Sequence, residues 1–403
     1  VFIQAVYFNT DPTQNLWTEQ QIVPVYSEGS SDHIRTLKLD FSEHKFSNTL
    51  MVRYEYSGKT YTKPMTLQFR DFKTDYVDED TAKAWYRSQG AVTKKNGKTL
   101  LFPPGIYQLD MNIEVKKDWK LVLLPGVQLK LLNGAKLKVN GPVYSLGAEN
   151  NPVIINIQST PDRGLLGSWG GLLVQQSSRK SYLNHTIING SPVAGMNQRQ
   201  DSSGLTGCIT FYQSAVQITR SRFNDLQCED ALNIISSKFT IEDTTINGAN
   251  ADAFDSDFST GQIINSNFTN IGNDGVDVSG SMVNIDSSRF IEIHDKAVSV
   301  GEESRLGADN INVTSAKSGI VSKDNSIAKI VGAHFQDIDG TALFAYVKKQ
   351  EYGPSELHCT RCTFDNVESI AAEQFGSKIT IDGVDVKTTP FTRKQLRAAD
   401  YIR

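Results

Sequence analysis

The chain is short of several things, and each shortage closes a class of explanation. Cysteines are few, four in 403 residues, and although Cys359 and Cys362 form a CxxC that could suggest zinc or redox chemistry, the repeat of the chain argues against both. Cationic side chains are in no surplus: 41 Lys and Arg stand against 45 Asp and Glu, a net charge of −4, which leaves nothing to neutralise nucleic-acid phosphates. No run of 18 apolar residues occurs, so no membrane-spanning helix is expected. The chain opens at Val1 with neither a basic nor an apolar leader, so a signal peptide is expected to be absent or already removed. Helical 3.6-residue periodicity is scarce. Disorder is excluded as well, because 39% hydrophobic and 21% charged residues describe an ordinary folded chain.

What is present is β-structure. Residues 1–75 read as a small β-sandwich: Leu37, Leu39 and Phe41 alternate with polar residues, as do Val52, Tyr54 and Tyr56, then Met65, Leu67 and Phe69, with a hairpin turn at Ser57-Gly58-Lys59. Residues 76–99 form a linker or cap with one helix over 78–90, capped by Asp78 or Asp80, apolar at Ala82, Trp85 and Tyr86, and stopped by Gly90. Residues 100–385 are short strands separated by Gly, Asn and Asp. Residues 386–403 are a tail, in which Thr392–Arg403 can form a short basic helix capping the last coil.

The repeat decides the fold. Written in lines of about 22 residues, the chain aligns Asp230-Ala231-Leu232-Asn233-Ile234 with Asp252-Ala253-Phe254-Asp255-Ser256, then Asp274-Gly275-Val276-Asp277-Val278, Lys296-Ala297-Val298-Ser299-Val300 and Ser318-Gly319-Ile320-Val321-Ser322. A second column holds Phe223, Ile246, Phe268, Phe290, Phe335 and Phe364; two places before it stand Ser221, Thr244, Ser266, Ser288, Ala333 and Cys362. A unit this short cannot bury its own core, so neighbours must stack. Helical repeats are longer, and the leucine-rich framework is missing. The fold class is therefore all-β, a right-handed parallel β-helix behind a β-sandwich-like domain.

Strand alternation sets side-chain direction. Leu232, Phe254, Val276, Val298 and Ile320 point inward; Asn233, Asp255, Asp277 and Ser299 point outward, as do Ile235, Asp257, Ser279 and Gly301. The small residues Ala231, Ala253, Gly275, Ala297 and Gly319 are also expected outward, as a shallow lane. Cys362 and Cys359 fall in inward columns and are expected as core side chains; Cys208 and Cys228 lie near one corner, where a bridge is geometrically open. Lys348-Lys349 reads as a solvated loop.

Stacking then crowds acids onto one face. Asp255 and Asp277 stand about one inter-strand spacing apart, ~5 Å, and like charges so placed need a cation, a shared proton or basic neighbours. His294, Lys296, Arg305 and Lys323 are the basic candidates; Asn233, Asp252, Asp274, Ser299 and Glu302 are candidate substrate contacts. Three readings follow. The face cleaves an acidic polysaccharide, with paired carboxylates as acid and base, or with Ca²⁺ on Asp255, Asp257 and Asp277 and Lys or Arg as base. It binds glycan or Ca²⁺ without catalysis. Or the acids are corner residues chosen for turn geometry, which accounts for Asp230, Asp252 and Asp274 better than for Asp255, Asp257 and Asp277.

These coils resemble the pectate-lyase-like superfamily of right-handed parallel β-helix proteins, on Glu229–Asn233, Asp252–Ser259, Gly272–Ser281 and Asp295–Glu302, over roughly residues 100–380. The resemblance implies a secreted bacterial protein, extracellular, cell-surface or periplasmic; some such proteins carry a CotH-type kinase domain beside the β-helix, and a surface scaffold of that type is the alternative to an enzyme. Polygalacturonase-like hydrolases of this superfamily carry acids near the places of Ala251-Asp252 and Asn273-Asp274, but their Gly-His-Gly and Arg-Ile-Lys elements are missing here, as is the Asp-Pro-His of mannuronan epimerases. Lyases of the superfamily commonly use Ca²⁺ with a Lys or Arg base, a role for which Lys296, Arg305 and Lys323 are the residues at hand.

Overall fold

A computed structural model describes residues 2–8, 49–56, 59–66, 76–94, 98–158, 170–191, 206–374, 376–386 and 390–398. Two compact units divide at residues 75 and 76.

In the first unit, Phe2–Phe8, Thr49–Tyr56 and Lys59–Thr66 make a three-stranded antiparallel sheet in that order. The expected hairpin is there, with Tyr56 opposite Lys59. The strand expected around Leu37–Phe41, and with it any second layer of a sandwich, lies outside the described residues.

The second unit begins with the helix Glu79–Ser88. Asp78 caps it by accepting from the backbone N–H groups of Asp80 and Thr81 at 3.0 and 2.9 Å, which satisfies two donors that the first turn leaves unpaired. Ala82, Trp85 and Tyr86 are buried beneath it. The rest is a right-handed parallel β-helix of three faces. One face is a sheet of 14 strands; the other two merge into a sheet of 18, because strands such as Arg289–Gly301, Asn312–Lys323 and His334–Tyr346 run unbroken around a corner.

Three internal files hold the coils in register. Phe223, Ile246, Phe268, Phe290, Val313 and Phe335 stack along one face and are all at most 1% exposed; the Phe268 and Phe290 rings lie 5.0 Å apart and nearly parallel. Leu232, Phe254, Val276, Val298 and Ile320 fill the next face, wholly buried as their alternation implies. At a corner, Ser214, Ser237, Ser259, Ser281, Ser304 and Ser326 form a polar file: each backbone N–H donates to the next hydroxyl at 2.8–3.1 Å. The chain bends there and leaves the ladder, so a small hydroxyl supplies the acceptor that a buried N–H requires.

The small residues expected outward are inward. Ala231, Ala253 and Ala297 are at most 1% exposed and belong to the core. A Cβ on Gly275 would lie 2.9 Å from the Phe290 ring, and one on Gly319 2.8 Å from the Phe335 ring. The strand turns its corner at this column, so two successive residues face the interior, and the phenylalanine stack leaves room only for Gly or Ala. The shallow lane does not exist.

Both cysteine pairs are bridged. Cys208–Cys228 closes the corner that the sequence left open, with Cα atoms 5.5 Å apart. Cys359 is buried in the core, but it is joined to half-buried Cys362, so the pair is a disulfide rather than two core thiols. The tail also departs from expectation. Its helix, Arg393–Ala398, lies on an outer face, with Leu396 buried against Val321, Phe344, Tyr346 and Ala372.

Candidate active site on the acidic face

Three outward files converge on one face. The middle file runs Asn233, Asp255, Asp277, Ser299, Val321, Phe344, Ala372. Beside it run Ile235, Asp257, Ser279 and Gly301, then Lys323 and Tyr346. At the edge stand Asp230, Asp252, Asp274 and Lys296, the first two in direct register. Six carboxylates, two ammonium groups and an amide thus occupy five successive coils.

The edge acids are tied into the backbone. Asp252 Oδ1 accepts from the Asp274 N–H at 2.9 Å and from Asn273 Nδ2 at 2.6 Å; Asp274 Oδ1 accepts from the Lys296 N–H at 3.1 Å and from its ammonium at 3.2 Å. Asp295 takes the other side of the Lys296 ammonium. Burial alone would lower Lys296, but Asp274 and Asp295 hold its ammonium well above its ordinary range. Asp230 bonds Asn233 Nδ2 at 3.1 Å, and the same amide meets Asp255 Oδ2 at 3.2 Å.

The face acids divide by charge state. Burial and the field of Asp257, Asp230 and Asp277 push Asp255 well above the usual carboxylate range. Burial and the charges of Asp230 and Asp277 raise Asp257 to about 7, and burial raises Asp230 to about 6. Asp252 and Asp274 also rise, chiefly through burial. Asp277 goes the other way. Burial is the largest influence and opposes its ionisation, but Lys323, the Ser299 side chain, Lys296 and Lys348 together outweigh this and hold it below its ordinary value of 3.8. The Lys323 Nζ lies 3.9 Å from Asp277 Oδ1 although the two residues are two coils apart. Gly301, in the coil between, makes the reach possible: a Cβ there would lie 2.8 Å from Lys323 Cε.

Several acceptors on this strip are unmet. Asn233 Oδ1, Asp277 Oδ1 and Ser299 Oγ are buried and make no hydrogen bond within the described protein. Buried oxygens of this kind are costly unless a donor reaches them.

Of the other sequence candidates, Glu302 stands at the rim, where it pairs with the Lys349 ammonium. His294 is exposed at the corner before Lys296, and among the described residues no hydrogen bond or ion pair joins it to the acids. Arg305 is not on this face. It opens Arg305–Asp309 in the 14-stranded sheet, and its guanidinium reaches the Asn325 carbonyl at 3.4 Å; three residues and a corner separate it from Gly301, enough to carry it onto the neighbouring face. Oxygen-rich surroundings suit Ca²⁺ in principle, yet no three His, Cys, Asp or Glu side chains converge as a metal centre among the described residues. Lys323 already supplies the positive charge beside Asp277, so no step is assigned to a metal.

Lys348-Lys349, expected as a solvated loop, is a loop after Tyr346 that packs onto this face. The backbone N–H groups of Lys348 and Lys349 donate to Asp324 Oδ1 at 2.6 and 2.7 Å, which folds the loop onto the face. The like charge of Lys323 then lowers Lys348 from its usual range. No repeat column marks this loop, because it is an insertion between coils.

Residues 230–386 match the family described as "Right handed beta helix region". The region is a right-handed β-helix. The architecture is the one that the resemblance to pectate-lyase-like proteins implied. Among solved structures, this β-helix protein is similar to a variant of the periplasmic alginate epimerase AlgG, at 12% identity and a TM-score of 0.49, over 76% of this chain and 90% of that one. It is similar to a tailspike of an Acinetobacter phage, at 10% identity and 0.43, over 72% and 58%. It is similar to DFA-IIIase from Arthrobacter chlorophenolicus, at 9% and 0.43, over 78% and 94%. These likenesses extend to the fold alone. No curated protein sequence matches the chain. No helix among the described residues is long and apolar enough to cross a membrane.

Proposed function

We propose that the acidic strip binds a glycan lying along the solenoid and cleaves a glycosidic bond in it by general acid–base chemistry. One observation carries the reading: Asp277, held ionised by Lys323, stands in register beside Asp255 and next to Asp257, which hold protons. Neighbouring carboxyl groups pushed apart in this way are an acid and a base. Asp257, raised to about 7, is suited to protonate the leaving oxygen at neutral pH. Asp277 is the carboxylate that attacks the anomeric carbon or activates water against it. Sugar hydroxyls reach the partly exposed carboxyl groups of Asp255, Asp257 and Asp277.

An acidic glycan fits better than a neutral one. Protonated Asp255 and Asp257 do not repel a uronate, and the exposed Lys348 offers it a cation. Two disulfides and no free cysteine among the described residues fit an oxidising compartment, and so an exported protein.

The test is a panel of uronic-acid polymers, with and without chelator, scored for new reducing ends and for unsaturated ends. New saturated reducing ends that vanish in Asp277→Asn support the reading. Unsaturated ends replace hydrolysis by β-elimination at the same face. Binding without turnover on every polymer makes the strip a glycan-binding surface and overturns the catalytic assignment.

A further inference from the structure

The acidic strip is open in its middle and closed at one end, and the closure is built from named parts. Beyond Ser299 the middle file continues as Val321, Phe344 and Ala372, all at most 5% exposed although they point outward. Leu396, at 0% exposed, lies on them, and Phe391 packs 5.8 Å from the Phe344 ring. Tyr346, the outward neighbour of Lys323, is 1% exposed beneath the same cover.

The cover is pinned at several points. Arg393 donates to the Val347 and Lys348 carbonyls at 3.3 and 3.2 Å. The Val347 N–H donates to Gln374 Oε1 at 2.7 Å, and Asp324 holds the next two N–H groups. Lys349 ties the loop back to Glu302 at the rim of the strip. A chain lying along the solenoid over Asn233, Asp255 and Asp277 therefore meets a wall one coil past Ser299.

We infer that the strip receives the end of a glycan chain rather than its interior, with the loop after Tyr346 and the helix Arg393–Ala398 as the stop. The inference rests on the glycan-cleaving reading above and deepens it. The chemistry at the wall names the terminal unit. Lys296 and Lys323 are paired with Asp274 and Asp277, and Lys349 with Glu302, so the exposed ammonium of Lys348, which no ion pair holds among the described residues, is the cation offered where the groove ends. A terminal uronate, whose carboxylate has no further sugar beyond it, is the matching group.

The experiment uses the full chain on polygalacturonate and on alginate, following viscosity and reducing ends together. Chain-end attack releases short products from the first minutes while viscosity barely falls for each bond cut. Leu396→Asp is expected to release the helix and raise the viscosity loss per bond cut several-fold. Arg393→Ala removes two pins without placing a charge in the cover and is expected to move the ratio in the same direction by less; it serves if Leu396→Asp fails to fold. A wild-type enzyme that halves viscosity before short products appear overturns the stop while leaving cleavage intact, as does a ratio unmoved in a folded variant. No binding and no cleavage of either polymer overturns the proposed function and this inference with it.

Discussion

Between Asn233 and Ser299 the outward middle file carries an amide, two carboxylates and a hydroxyl; between Val321 and Ala372 the same file carries a valine, a phenylalanine and an alanine. The inward neighbours hardly change: Leu232, Phe254, Val276, Val298, Ile320 and Leu343 are all 0% exposed. A β-helix takes its cohesion from inward stacks and ladder hydrogen bonds, so it tolerates opposite chemistries outward at equal backbone geometry. The apolar stretch has found a cover in the terminal helix. The acidic stretch instead keeps protons, a distant lysine and unmet acceptors. A merely structural surface has no reason to assemble these, because like carboxylates in register destabilise the pair.

The largest expected effect belongs to the acidic stretch. Asp277→Asn should cut kcat by about 10²–10⁴-fold, the usual share of a general acid or base, and should also lower the melting temperature, because it leaves the buried Lys323 ammonium without its partner. Undiminished turnover in a folded variant would remove the distinction between the two stretches. Next comes Lys323→Met. It strands the Asp277 carboxylate without its cation, which should cost about 3–5 kcal/mol in denaturant unfolding, and adding Asp277→Asn to that variant should restore most of the loss. Additive losses would show that the contact at 3.9 Å does not matter.

Acidity gives a third contrast. Asp230 and Asp257, raised from 3.8 to about 6 and about 7, keep protons that the unfolded chain has released. Their stabilising effect is therefore full at acid pH and is lost as pH climbs from about 4 through about 7. Asp277, held below 3.8, works in the opposite sense and loses its share only as pH falls below that value. Melting temperature should accordingly fall between about pH 4 and 7, and Asp257→Asn should flatten the upper part of that slope. A rise across the window would contradict the protonated face. Smallest of all is Gln262→Ala, an exposed outward position of the 14-stranded sheet. It should change stability by no more than about 0.5 kcal/mol and leave turnover unaltered; an activity loss there would place the site on the wrong face.

The repeat was legible because every coil restates the same burial rule. Leu232, Phe254 and Val276 could be aligned by eye, and their register carried Asp255 to Asp277 without any coordinates. The corner was not legible in the same way. Alternation assigns Ala231 and Gly275 to the outside, but a bend lets two neighbours face inward together, and only the position of the Phe290 ring shows it. Arg305 was misplaced for a related reason: proximity in sequence to Glu302 says nothing about the corner between them.

Composition and period by themselves determined a stacked all-β solenoid, its inward columns and the crowding of Asp255, Asp257 and Asp277 on one side, because those follow from a periodic pattern that any coil reveals. Only the tertiary structure decided which carboxyl keeps its proton and which loses it. That choice depends on a lysine reaching across Gly301 from two coils away and on how deeply each acid is buried. It also decided where the groove ends, since a helix from the far end of the chain covers Val321, Phe344 and Ala372 and leaves Asp255, Asp257 and Asp277 partly exposed.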